Sequence, residues 1–246
     1  MKKTHLANTI LGTISCWLLI SCKAIYGPIS AITPAPVILY PPDDNGGYLI
    51  QAEAFKGPGW HDDEDFRYLR YNLYTATQTT HFRVALGLSE QSGSIRVKYA
   101  DSLNGHYNFT QVGLITAFGF SVPVKNGKFG VEFQPTAYLS SGSYSRFLDS
   151  LSTSSAAGLY QPVLAPGLDW HTKFFVQATL PDQAEGNIYV SASNGNNSAE
   201  EEKNSFIINT SPHRLSLGFS YFRKPFGGFI EYLFVKHIRL GISYQF

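Results

Sequence analysis

From Tyr48 onward, apolar residues recur at every second position rather than every third or fourth. That is the period of β-strands whose two faces differ. Phe82, Val84, Leu86 and Leu88 alternate with His81, Arg83, Ala85 and Gly87, and Phe129, Val131 and Phe133 with Gly130, Glu132 and Gln134. Ile95, Val97 and Tyr99 alternate with Arg96 and Lys98. The last stretches are the clearest: Leu215, Leu217, Phe219 and Tyr221 against Arg214, Ser216, Gly218 and Ser220, then Ile238, Leu240, Ile242, Tyr244 and Phe246 against Arg239, Gly241, Ser243 and Gln245. Weaker strands are expected over 48–55, 67–75, 107–124, 168–180, 186–193 and 205–210. Turn residues separate many of them, as at Asn104-Gly105, Lys125-Asn126-Gly127, Asn194-Gly195 and Lys224-Pro225-Phe226-Gly227-Gly228. From Ile230 to Leu240 one parity is kept, which fits one long strand or a hairpin with a poor turn. No stretch carries a convincing helical period, and residues 61–65 and 193–204 read as acidic or polar surface loops.

A soluble β-sandwich and a transmembrane barrel both alternate in this way. The sandwich turns large aliphatics inward, whereas the barrel turns apolar residues to lipid, gathers aromatics at the interfaces and keeps a polar lumen. Here the apolar rows are rich in aromatic residues, with 18 Phe and 15 Tyr among 246 residues. The opposite rows hold Arg, Lys, Glu, Gly and Ser. The expected fold is an all-β, transmembrane, antiparallel up-and-down β-barrel spanning 47–246. Strands of about ten residues give about 10–12 of them, within a range of 8–12, with both chain ends periplasmic.

The N-terminal residues agree with export. Lys2 and Lys3 precede an apolar run from Leu6 to Ile20, the shape of a secretory signal peptide over 1–24 and too short to span a bilayer comfortably. Two cleavage readings stand: an ordinary cut after Ala24, or a lipobox at Leu19-Ile20-Ser21-Cys22 with Cys22 lipidated. Cys16 and Cys22 are the only cysteines, so a mature disulfide scaffold or cysteine zinc site is excluded. Losing Lys2, Lys3 and Lys23 from the 19 basic residues leaves 16 against 18 acidic ones, a balance that gives no reason to expect nucleic acid. Residues 25–46 carry Pro28, Pro34, Pro36, Pro41 and Pro42 and read as an extended periplasmic tether ahead of the fold.

The final eight residues, Arg239-Leu240-Gly241-Ile242-Ser243-Tyr244-Gln245-Phe246, resemble the terminal β-signal of Gram-negative outer-membrane barrels. The keyed positions are a polar residue, Gly241 two positions on, and hydrophobics at Tyr244 and Phe246. The resemblance implies the bacterial outer membrane as location, its lipid as surroundings, and the barrel-assembly machinery as a partner reading this strand. It covers the alternating region as architecture only.

If the apolar rows face lipid, the lumen receives Arg70, Arg83, Arg96, Lys98, Lys173, Arg214 and Arg239 together with Glu53, Glu132, Asp169 and Glu231. Seven bases against four acids would favour anions in an open pore. The same charges would pair if the barrel is closed and filled. Asp169-Trp170-His171 with Asp63 and Asp65 loosely resembles the carboxylate and histidine groups of omptin proteases, but the surrounding residues do not match. His81, His106, His171 and His213 are available to a lipid-modifying enzyme, yet no spacing singles out a nucleophile. The acidic run 61–65 reads as a solvated loop, and no cofactor or metal is expected.

Three functions follow. The first is a small porin-like channel whose basic lumen favours anionic or small polar solutes. The second is a closed structural or surface-interaction barrel acting through loops 141–166 and 193–205. The third, weaker, is an outer-membrane enzyme. Independently of function, Phe246→Ala is expected to reduce assembly severalfold, read as loss of heat-modifiable gel mobility; unchanged mobility would remove the assembly role of this strand.

Overall fold

Ten antiparallel strands close on themselves in the computed structural model, which describes residues 33–42, 47–59, 64–98, 104–152, 167–181, 184–195, 215–233 and 237–246. They are β1 (Tyr48–Pro58), β2 (Asp65–Gln78), β3 (Phe82–Val97), β4 (Gly105–Val124), β5 (Gly127–Ser141), β6 (Gly167–Thr179), β7 (Glu185–Gly195), β8 (Leu215–Arg223), β9 (Phe226–Leu233) and β10 (His237–Gln245). Each pairs with its neighbours in sequence, and β1 pairs with β10 from Leu49↔Gln245 to Phe55↔Arg239. The barrel matches the expected class and falls inside the expected strand range. Closure pairs each strand on both sides and leaves no edge, the condition for strands to cross hydrocarbon. The region 230–240 resolves as a hairpin, with Leu233 opposite His237. The strand expected over 205–210 lies outside the described residues.

The outer wall is apolar around the whole circumference. Leu69, Tyr71 and Leu73 on β2, Phe82, Val84, Leu86 and Leu88 on β3, Val112, Leu114, Phe118 and Phe120 on β4, and Ile238, Leu240 and Ile242 on β10 are all exposed. Such a surface has no stable place in water, whereas it is the ordinary lipid-facing band of a membrane barrel. At the end with the short turns, aromatic pairs form a girdle: Phe82 with Phe120 at 5.4 Å, Phe226 with Tyr244 at 5.4 Å and Tyr48 with Phe246 at 6.0 Å between centroids.

Toward the opposite, long-loop end the pattern inverts. Phe55, Phe66, Tyr68, Ile95, Val97 and Phe109 point inward and form a buried aromatic cluster. Phe66 lies 5.5 Å from Phe109, and Phe55 lies 5.2 Å from Tyr68. The outward rows there are polar, with Lys56, Arg67, Ser94, Arg96 and Asn108. These strands have risen above the apolar band, so their exterior meets water and their interior becomes a conventional core. This overturns the expected orientation of Ile95 and Val97. β3 is one strand of 16 residues with unbroken parity from Phe82, not two strands that each turn apolar residues outward.

One helix was not foreseen. α1 (Ser143–Ser152) follows β5 within the loop expected over 141–166 and packs Tyr144, Phe147 and Leu151 into the aromatic cluster, with Phe147 4.5 Å from Tyr107. Gly142 precedes it at φ 114°, a left-handed conformation that glycine adopts without strain. The helix thus packs onto the aromatic cluster at the loop end.

The residues ahead of β1 also depart from expectation. Thr33–Pro42 is not a tether outside the barrel but runs through the lumen, with Val37, Ile38, Leu39 and Tyr40 at 2–4% exposure. They pack against Leu49, Tyr74, Ala85, Ile115, Ala117, Phe175 and Phe229 of the wall. An eight-stranded barrel is filled by its own side chains; ten strands leave room for more, and here one extended chain fills it.

Phe66→Ala is expected to destabilise the barrel by about 3–5 kcal/mol, because it leaves a cavity in the aromatic cluster. Leu88→Ala on the lipid wall, where lipid fills the space, should cost much less. Urea unfolding of the lipid-refolded variants measures both.

Candidate functional site

The lumen is where this chain concentrates its buried charge. Inward parity on β1 delivers Gln51 and Glu53, on β2 Arg70, Asn72 and Gln78, on β3 Arg83, Ser89 and Gln91, and on β5 Glu132 and Gln134. β6 supplies His171, Lys173 and Gln177, β7 Glu185, β8 Ser216 and Ser220, β9 Glu231 and β10 Arg239. A charge in such a space is tolerable only when paired. The register arranges this, because each main ion pair joins residues directly opposite on neighbouring strands.

Glu53 faces Arg70, and their Oε1 and Nη1 atoms lie 2.5 Å apart. Glu132 faces Lys173 with Oε1 2.6 Å from Nζ. Glu231 faces Arg239 and forms an ion pair with it, while Arg239 Nη1 also lies 3.5 Å from Glu53 Oε1. Glu53, Arg70, Arg239 and Glu231 therefore form one continuous cluster on four adjacent strands. The network extends sideways: Arg70 Nε donates to Gln91 Oε1 at 2.9 Å, and Ser216 Oγ donates to Glu231 Oε1 at 2.5 Å.

The threaded segment completes this arrangement. Arg70 Nη2 donates to the Pro34 carbonyl at 2.8 Å, Arg239 Nη1 to the Ala35 carbonyl, Gln134 Nε2 to the Pro36 carbonyl at 3.0 Å and Gln78 Nε2 to the Pro41 carbonyl at 2.8 Å. The Leu39 N–H donates to Tyr74 Oη at 3.1 Å. Pro34, Pro36, Pro41 and Pro42 have no N–H, so four donors that an ordinary extended chain would have to satisfy are absent. Carbonyls meet Arg and Gln donors, and the central residues meet apolar wall. Arg83 lies at the turn end, with its guanidinium 4.9 Å from the Tyr40 ring centroid and 3.6 Å from that of Phe175. Its Nη2 donates to Asn187 Oδ1 at 3.2 Å.

The expected lumen residues thus divide. Arg70, Arg83, Glu132, Lys173, Glu231 and Arg239 are inside and buried. Arg96 and Lys98 are not: both are exposed, Arg96 because β3 keeps the parity that turns Ile95 inward, and Lys98 beyond the end of that strand. Arg214 and Cys22 lie outside the described residues. Among described strand residues the buried charges are Arg70, Arg83, Lys173 and Arg239 against Glu53, Glu132, Glu185 and Glu231, four of each sign. The expected basic excess is therefore absent from this part of the lumen. Glu185 escaped the sequence reading, as did Gln78, which donates to Glu185 Oε2 at 2.6 Å. The threaded segment had one legible signal: Val37-Ile38-Leu39-Tyr40 is too apolar for a solvated linker.

The residues of the assembly motif have structural roles of their own. Gly241 is on inward parity, and any side chain there would overlap the Phe229 ring. Tyr244 and Phe246 face outward in the aromatic girdle. Among the described residues the histidines do not converge. His81 is at a short turn with Nδ1 3.3 Å from the Ser121 carbonyl, His106 is exposed at the loop end, and His171 is buried in the lumen. His213, Asp63 and the Asp169 side chain lie outside the described residues. Among those residues no group of three metal-ligating side chains occurs.

No protein-family model matches the sequence, and no curated protein matches it closely. Several solved structures are similar in architecture. The β domain of the Bordetella autotransporter BrkA aligns at 10% identity and a TM-score of 0.42, covering 82% of this chain and 99% of that one. The translocator domain of the autotransporter NalP from Neisseria meningitidis aligns at 12% identity and a TM-score of 0.38, covering 99% and 96%. An outer-membrane channel from Pseudomonas putida aligns at 9% identity and a TM-score of 0.32, covering 82% and 95%. The apolar outer band, aromatic girdle and closed ten-stranded wall make this chain an outer-membrane-type β-barrel.

Because Glu53 serves two arginines, Glu53→Ala is expected to cost about 3–5 kcal/mol by leaving buried cations short of a partner. Arg96→Ala, at the exposed position, should be close to neutral. A matched pair of urea midpoints checks this; equal losses would refute the assigned parity.

Proposed function

We propose that the protein is a closed outer-membrane barrel that anchors its loop-end structure at the cell surface, with its lumen filled by its own N-terminal segment. The observation that carries this reading is the Thr33–Pro42 segment inside the wall, with Val37–Tyr40 buried against it. Gln78, Glu185 and the Arg83–Tyr40 stack fill the turn end, the charge cluster and the Pro34–Pro36 carbonyls fill the middle, and the aromatic cluster with α1 fills the loop end. The wall facing Val37–Tyr40 is itself apolar, which suits a packed chain and not a wet pore. In outer-membrane barrels the long loops are extracellular and the short turns periplasmic, so the raised strands and α1 would be presented outside the cell.

A porin-like channel with an anion-favouring lumen has less support. Arg70, Lys173 and Arg239 each have a carboxylate partner, and Arg83 is covered by two aromatic rings. A lipid-modifying enzyme has less still, since the described histidines lie at different ends and faces of the barrel.

Planar-bilayer recording on the refolded mature protein tests the proposal. The expected result is a folded, heat-modifiable barrel without steady openings. Steady anion-biased openings that shift toward cations in Arg83→Gln would overturn the closed reading in favour of the pore.

A further inference from the structure

The lipid-facing wall carries a hollow. A cavity of about 510 Å³ opens where β9, β10, β1 and β2 meet. Its floor is small, with Ala52, Ala54, Gly228 and Gly241, and is bordered by Glu53 and Phe229, which are buried on the inward row; Leu69 and Tyr71 form one side, Leu240 and Ile242 the other. That volume lies within the roughly 300–1,000 Å³ of small-molecule sites. The register fixes what stands above it. Ala52 pairs with Tyr71 and Ala54 with Leu69, and the next outward pair toward the loop end is Lys56 with Arg67.

Two like charges directly opposite on neighbouring strands repel each other and disfavour the pairing. Both side chains are exposed, and neither has an ion-pair partner among the described residues. Arg67 Nε donates to Ser94 Oγ at 3.0 Å, which orients the guanidinium without neutralising it. One rung higher on the same outward row, Asp65 is opposite Arg96 in the ladder, and neither forms an ion pair among the described residues. Among the described residues Lys56 and Arg67 thus stand as two adjacent bases without an ion-pair partner, at the upper edge of the apolar band and over the cavity. Where the apolar band of a membrane barrel ends, the lipid headgroups begin.

We propose that this is a site for one phosphorylated lipid of the outer leaflet, with an acyl chain lying in the cavity and a phosphate held between Lys56 and Arg67. The apolar hollow and the cation pair are complementary to the two parts of one amphiphile. A phosphate between the two bases replaces their repulsion with charge-assisted hydrogen bonds, the fork of Arg67 being suited to phosphate geometry. Clusters of bases beside a membrane surface attract anionic headgroups. The inference rests on the membrane placement of the barrel but not on whether its lumen conducts, so bilayer recording and lipid binding fail independently.

Native mass spectrometry of the detergent-solubilised full barrel with diphosphoryl lipid A tests the site. The wild type should retain one lipid through a detergent wash. Lys56→Ala/Arg67→Ala should weaken retention about tenfold or more, as should enzymatic removal of the lipid phosphates. Ala54→Leu, which fills the floor without changing charge, should weaken it as well, and inorganic phosphate at millimolar concentration should not displace the lipid. All three substituted residues face outward, and heat-modifiable mobility confirms folding of each variant. Equal retention by wild type and the double variant would overturn the proposal in favour of nonspecific belt lipid. Displacement by inorganic phosphate, with no effect of Ala54→Leu, would overturn it in favour of free-anion binding.

Discussion

Glu53 is the charge around which the interior is arranged. It is buried on a wall strand, and an isolated carboxylate there would be expensive enough to neutralise itself or unfold its surroundings. Arg70 on one neighbouring strand and Arg239 on the other both reach it. Those arginines then have donors to spare, which meet Gln91, Glu231 and the carbonyls of Pro34 and Ala35. The position of the threaded segment follows from this chain of satisfactions: a barrel carrying two arginines inward needs acceptors beyond a single carboxylate, and a proline-rich backbone supplies carbonyls while contributing few N–H groups of its own. The cluster also spans the seam at which β1 meets β10, so the pairing that closes the barrel and the pairing that neutralises its interior involve the same residues.

Period two told the fold because every strand of a closed barrel has two unlike faces, and the assignment of Arg70, Arg83, Glu132, Lys173, Glu231 and Arg239 to the interior followed from parity alone. The same rule failed at Ile95 to Lys98. Parity says which residues share a face but not where along a strand the surroundings change from lipid to water. Once a strand passes the membrane surface, the apolar side turns inward, and the alternation looks unchanged while its meaning is reversed. β3 crosses that boundary near Glu90, where the outward row passes from Leu86 and Leu88 to Glu90, Ser92 and Ser94. A sequence reading that treats each short run as a separate strand has no way to carry parity across the boundary; the ladder from Phe82↔Phe120 to Val97↔Gly105 does.

The threaded segment and α1 were hidden for a different reason. Both gain their structure from the barrel and not from local propensity. Prolines at 34, 36, 41 and 42 signal an extended chain equally well in water and in a lumen, and only the apolar run between them argues for burial. The ten residues of α1 are too few to form a stable isolated helix, and it holds because Tyr144, Phe147 and Leu151 meet an aromatic cluster assembled by four other strands. Pairings at long sequence separation, such as the Gln78–Glu185 hydrogen bond, are likewise invisible until closure brings β2 and β7 to the same mouth.

The interior and exterior of this wall solve one electrostatic problem in opposite ways. Inside, each main cross-strand charge pair is of opposite sign, because no solvent is available to screen a mismatch. Outside and above the lipid band, Lys56 faces Arg67, a mismatch that water would reduce but not reward. A headgroup phosphate at the rim of the lipid-facing hollow would supply the opposite charge that the pair lacks. The same strand, β1, therefore contributes Glu53 inward to hold two arginines and Lys56 outward to meet the membrane surface. It couples the neutral, packed interior to a charged rim across three residues.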